Sequence, residues 1–180
     1  MKKRLISIIA LALMCCCLIG TTYAWLVSKS APVTNTFTSG NVNISLADTA
    51  SRNRILIPGA TLMDDTKAIV RANSEDCWLF IKIDKSELFD SYITLTVEEG
   101  WIPLNGSTDI YYRAVSSSAE DQTFFVPKDN EITVRSDRSI ADYANLNSSN
   151  YPTVRFTAYA VQKLGFSTAE AAWAEAEKLG

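Results

Sequence analysis

The side chains on which most enzymes rely are scarce in this 180-residue chain, which holds no histidine and four cysteines, three of them adjacent at Cys15, Cys16 and Cys17. Without histidine there is no Ser-His-Asp or Cys-His relay, no His-containing zinc site and no H-E-x-x-H helix. Cys77 stands by itself in the apolar run CWLFIKI, where a thiol behaves as a small buried hydrophobe and cannot build a thiolate cluster. No G-x-x-x-x-G-K-[ST] or G-x-G-x-x-G sequence occurs, so no backbone cradle for phosphate is signalled. Carboxylate pairs remain, the equipment of glycoside hydrolysis. Glu98-Glu99 and Asp64-Asp65 are adjacent, however, and neighbours along a strand point to opposite faces, so each pair reads as edge or turn charge rather than a converging site. Calcium could bind such oxygens, at Asp64, Asp65 or the loop around Glu120 and Asp121, but no ligand spacing specifies it. Tyr111, Tyr112, Phe124, Phe125 and Tyr159 are candidates for a sugar-binding face, although in a sandwich aromatic side chains mostly fill the core. The Asn-X-Ser triplets at Asn43, Asn105 and Asn147 are short enough to arise by chance. No catalytic residue, metal ligand or cofactor is assigned, and the expectation is a protein that is not an enzyme.

The elements that would position these residues are strands separated by turns at short intervals. The expected fold is all-β: a jelly-roll-like antiparallel β-sandwich over residues 41–165 with a short C-terminal helix over 166–180. Val42, Ile44 and Leu46 alternate with Asn41, Asn43 and Ser45, which gives one buried and one wet face. Pro58-Gly59 in RILIPGATL fits the central positions of a type II turn. CWLFIKID is apolar on both faces around Trp78 to Phe80 and reads as an interior strand. KAIVRAN, YITLTVEEGW, DIYYRAV, TFFVP and EITVRS continue the series. In TVRFTAYAV, parity puts Val154, Phe156, Ala158 and Ala160 on one face and Arg155, Thr157, Tyr159 and Val161 on the other. Two stretches depart from strand character. RSIADYANLNSSNYP is polar and predicts a short helix and a surface loop. STAEAAWAEAEKLG predicts a helix with Ser167 and Glu170 as a capping box and Trp173, Ala176 and Leu179 along one stripe.

Residues 1–24 read as a signal peptide. Lys2, Lys3 and Arg4 precede an apolar stretch from Leu5 to Ile19, whose helical rise of about 22 Å falls short of the roughly 30 Å hydrocarbon core. T-Y-A at Thr22–Ala24 supplies a cleavage site with Trp25 as the new N-terminus. Two alternatives stay open: retention as an anchor lengthened by Trp25, Leu26 and Val27, or lipidation of a signal cysteine, against which Met14 ahead of Cys15 argues. Cleavage leaves 156 residues and moves the formal charge from −3 to −6. That acidity argues against nucleic acid and anionic lipid, with membrane association only through the uncleaved signal.

Two N-terminal stretches, GTTYAW and VTNTFTSGNVNISL, resemble the start of the TasA/camelysin family of exported bacterial biofilm-matrix and surface-fibre proteins. Ala24-Trp25 matches the alanine and aromatic residue at the family's cleavage site, and Thr36, Phe37, Gly40, Ile44 and Leu46 follow its T-F-x-x-G-x-x-x-(I/L)-x-L pattern. ILIPGATL resembles the family's L-x-P-G-D turn, with Ala60 in place of Asp, and FTAYAVQ resembles its closing strand. The resemblance implies cleavage by a dedicated ER-type signal peptidase and a jelly-roll protein that polymerises in the extracellular matrix or coats the cell surface. The metalloprotease activity described for some members has no residue here to carry it.

Within residues 25–40, Trp25, Val27, Ala31, Val33 and Phe37 share one parity, interrupted by Lys29 and Asn35, which makes this segment a candidate donor strand for a neighbouring copy. The expected partners are the signal peptidase and either further copies, joined head to tail, or a related matrix protein. The alternatives are that the strand folds back into its own sandwich, or that the chain is a monomeric cell-surface binding module or an accessory assembly protein.

Overall fold

A computed structural model of the chain describes residues 41–48 and 55–179. They form an antiparallel β-sandwich. The strands are β1 (Ile44–Ala47), β2 (Thr61–Met63), β3 (Lys67–Val70), β4 (Cys77–Lys85), β5 (Ile93–Thr94), β6 (Ile102–Pro103), β7 (Ile110–Val115), β8 (Gln122–Phe125), β9 (Glu131–Val134) and β10 (Val154–Gln162). Short helices α1 (Phe89–Tyr92) and α2 (Ile140–Ala144) interrupt them, and α3 (Ala169–Ala176) follows β10. Three sheets result, ordered β1-β3-β8, β10-β4-β7-β6 and β2-β9-β5. Every ladder is antiparallel.

Strand parity builds the core. Cys77, Leu79, Ile81 and Ile83 on β4 meet Ala158 and Ala160 on β10 and, from the facing sheet, Ala68 and Val70 on β3. Ile44, Leu46, Val154 and Phe156 pack half-buried against this cluster. The opposite face of β4 is apolar too, because α3 covers it: Phe80 and Val161 pack with Ala169, Ala172, Trp173 and Ala176, flanked by Trp78, Tyr112 and Tyr159. Both faces of β4 are therefore dry, and β4 is paired on both edges, as CWLFIKID predicted. A third cluster, Phe89, Ile93 and Ile132 with Leu56, Leu62 and Tyr92 around it, lies under β2-β9-β5.

Local chemistry fixes the breaks. Pro58-Gly59 forms the type II turn: Gly59 has φ +78° and the Ala60 amide donates to the Ile57 carbonyl at 2.9 Å. In α2 the Ser139 hydroxyl accepts from the Asp142 amide, and the Asp142 carboxylate accepts from the Ser139 amide. The Ser139 hydroxyl and then its amide, both donating to the Asp142 carboxylate, hold that carboxyl below its usual range.

Two expectations need correction. The cap of α3 is Thr168, whose hydroxyl accepts from the Ala171 amide, and not Ser167 paired with Glu170. Thr168 has the extended backbone an N-cap requires, and Ala171 at the third helical position has no carboxylate to reciprocate. YITLTVEEGW is not one continuous strand. Its first residue, Tyr92, ends α1, β5 spans Ile93–Thr94, and Val97 makes only an isolated bridge to Pro127, which has no N–H to continue a ladder.

Cys77 is fully buried, and burial, with Asp76 adding to it, pushes its thiol up to about 12. In the folded protein at pH 8 it is therefore a neutral thiol out of reach of reagents. Iodoacetamide is expected to leave Cys77 unmodified in native protein and to alkylate it fully in denaturant, read by mass spectrometry of its peptide.

Candidate functional site

Edges are where a β-sandwich can add a strand, and the edges here are unequal. β6 and β5 span two residues each, β2 three, and β1 and β8 four, whereas β10 runs for nine. β6 also ends in Pro103, which blunts its ladder. β10 pairs with β4 along its whole length, from Val154↔Lys85 to Gln162↔Cys77. Among the described residues no strand pairs with its other edge. The core rim beside that edge consists of Val154 and Phe156 from β10 and Ile44 and Leu46 from β1, all half-buried and apolar. A strand laid along β10 would thus find main-chain partners and an apolar rim for alternate side chains.

Of the residues expected to act there, Ala24, Trp25, Val27, Ala31, Val33 and Phe37 lie outside the described residues. The carboxylates are dispersed. Asp64 lies in the turn between β2 and β3 and is buried there: its Oδ1 accepts from the Thr66 hydroxyl at 2.6 Å and the Thr66 amide at 3.2 Å. Asp65 pairs with Lys67 at 3.6 Å. Glu98 accepts from the amides of Glu99 and Asp129, in that order the causes that hold its carboxyl below the usual range. Asp121 accepts from the Ala72 amide and the Arg71 guanidinium, and both hold its carboxyl low. These carboxylates are local braces. Among the described residues no three His, Cys, Asp or Glu side chains gather as a metal site, and no helix is long and apolar enough to cross a membrane. Tyr111 and Phe124 pack against the main core, and Tyr112 and Tyr159 against the cluster under α3. Phe125 is exposed on the outer face of β8, with the Lys67 ammonium 5.5 Å from its ring centroid.

The other unusual feature is Arg113 on β7. Its register partner is Leu79, so it points toward the space between the sheets on the same parity as Tyr111 and Val115. The guanidinium carbon lies 4.3 Å from the Phe124 ring centroid and 5.2 Å from that of Trp101. The Trp101 indole N–H donates to the Phe125 carbonyl at 2.7 Å and fixes that wall. Gly100, at φ +88°, gives the group room, since a Cβ there would stand 2.4 Å from Nη2. Reading parity along DIYYRAV exposes this arginine, because Arg113 shares the face of Val115. The overall charge count hides it.

No family model, curated protein or solved structure matches this chain.

Proposed function

We propose that this chain is an exported structural protein of the extracellular matrix or cell surface, as its resemblance to the TasA/camelysin family implies, and that it assembles by β-strand addition. The observation that carries the reading is the nine-residue β10 edge with its apolar rim. Cleavage between Ala24 and Trp25 frees residues 25–40, and the Trp25, Val27, Ala31, Val33, Phe37 parity enters beside β10 of a neighbouring copy. Fully extended, Trp25 to Phe37 reaches roughly 40 Å, against roughly 30 Å for the length of β10. Pro32 removes one donor N–H, so the strongest pairing runs from Val33 to Phe37. Each copy gives a strand at one surface and takes one at another. Such a heterologous contact does not close on itself and produces an open filament.

The test is incubation of the processed protein, starting at Trp25, followed by electron microscopy and sedimentation. Filaments are expected, and an excess of a synthetic peptide of residues 25–40 is expected to shorten them by occupying the acceptor edge. A compact monomer at all concentrations, indifferent to the peptide, would refute strand addition.

A further inference from the structure

We propose that Arg113 is a receptor for a carboxylate, supplied by an Asp or Glu side chain on a second copy of this chain. The inference rests on the self-assembly reading for its source and on the geometry around β7 for its chemistry.

The guanidinium lies against the rings of Phe124 and Trp101. What remains is its edge of N–H donors. Among the described residues those donors make no hydrogen bond or ion pair. Tyr111 and Val115 share its inter-sheet face. Of the acids nearby in sequence, Asp109 accepts from the Ser107 hydroxyl, and the Glu98 carboxylate is held by the amides of Glu99 and Asp129. Arg71 and Arg135, by contrast, are each paired with an aspartate, Asp121 and Asp137. Burial alone shifts the Arg113 guanidinium, downward, with no carboxylate opposing it. The donors are not sealed either, because none of its nitrogens is a buried atom without a partner. The result is a rigidly held, half-buried cation whose fork opens to solvent, and a planar carboxylate matches that fork.

The class of anion follows from charge. One cation balances one carboxylate but not a phosphate dianion. A free carboxylate would gain one ion pair and little else, so useful affinity requires a larger surface behind it. Strand addition supplies such a surface by holding copies side by side, and a chain with 20 acidic against 17 basic residues presents many candidate carboxylates.

The experiment compares the processed protein with Arg113→Gln and Arg113→Lys. A shared near-UV spectrum establishes that each variant is folded, and binding of the 25–40 peptide reports strand addition separately. The critical concentration for assembly is expected to rise about tenfold or more in Arg113→Gln, and less in Arg113→Lys, which keeps the charge and loses the fork, while peptide binding stays unchanged. Equal critical concentrations in folded wild type and Arg113→Gln would overturn the proposal. In parallel, N-acetylglutamate α-amide, whose only carboxylate is the side chain's, is titrated below the critical concentration while the Arg113 Nε–Hε NMR signal is followed, with N-acetylglutamine α-amide, which has no carboxylate, and inorganic phosphate as comparisons. A saturable shift with the glutamate compound and not with the glutamine compound supports the receptor, and no shift up to tens of millimolar overturns it. Should the wild type form no filament, strand addition and the second copy fall together, and this titration alone decides whether Arg113 receives carboxylates. A stronger response to phosphate would overturn the carboxylate assignment.

Discussion

Phe80→Ala is expected to destabilise the protein by about 3–5 kcal/mol, measured as a lower urea midpoint with an unchanged slope. Phe80 is fully buried on the helix side of β4, its ring centroid 5.3 Å from that of Trp173 and 6.3 Å from that of Tyr112. Truncation removes the side chain that α3 and the sheet share. Two layers lose their common contact at once, and neither can collapse into the space, because β4 is held in ladders on both edges and Trp173 is also braced edge-on against Tyr159 at 5.1 Å. Against a total stability of about 5–15 kcal/mol for a domain of this kind, the loss is a large share. Leu164→Ala is the matched control. Leu164 is 81% exposed, and its truncation is expected to change stability by less than about 0.5 kcal/mol. A Phe80→Ala cost below about 1 kcal/mol would mean that α3 does not seat on the sheet in solution.

Alternation of apolar and polar residues made most of the sandwich legible. The faces of β10 follow the parity of TVRFTAYAV residue by residue: Ala158 and Ala160 enter the main core, Tyr159 and Val161 the cluster under α3. Doubly apolar β4 was readable for the same reason, since a strand dry on both sides needs a cover, and STAEAAWAEA is the one stretch with helical spacing able to provide it. Where the reading failed, the deciding force was not periodicity. The alternation of YITLTVEEGW persists while its pairing does not, because the partner at Val97 is a proline. The burial of Asp64 in its turn was not readable, because nothing in its neighbours reveals that its carboxylate satisfies the Thr66 amide and hydroxyl inside the fold. The candidate site divides likewise. The apolar parity of residues 25–37 is a local pattern and could be read directly. The edge of β10 that no described strand pairs is a property of strand order, which depends on contacts between residues far apart in sequence, so no window of residues reports it.

Deleting residues 25–37 from the processed chain is expected to abolish assembly and to leave a folded monomer. The expectation follows from the packing among the described residues, where β3 covers one face of β4 and α3 the other. What the deletion removes is the strand that β10 would receive, so the four rim side chains Ile44, Leu46, Val154 and Phe156 lose a cover while the interior keeps its packing. The truncated protein should therefore unfold cooperatively, bind the 25–40 peptide, and sediment as a single copy under conditions in which the intact processed protein forms filaments. The size of the stability change separates donation from self-pairing. In a monomer whose own segment is donated away, deletion changes stability little, since the edge was vacant before assembly. In one whose segment lies along its own β10, deletion strips a complete ladder and its apolar side chains, worth about 1.5–3 kcal/mol for each large residue fully buried, and a domain with 5–15 kcal/mol in reserve would be lost or nearly so. Global unfolding on deletion, read by circular dichroism and amide exchange, would therefore assign the strand to its own sandwich and remove the basis for a strand-joined filament.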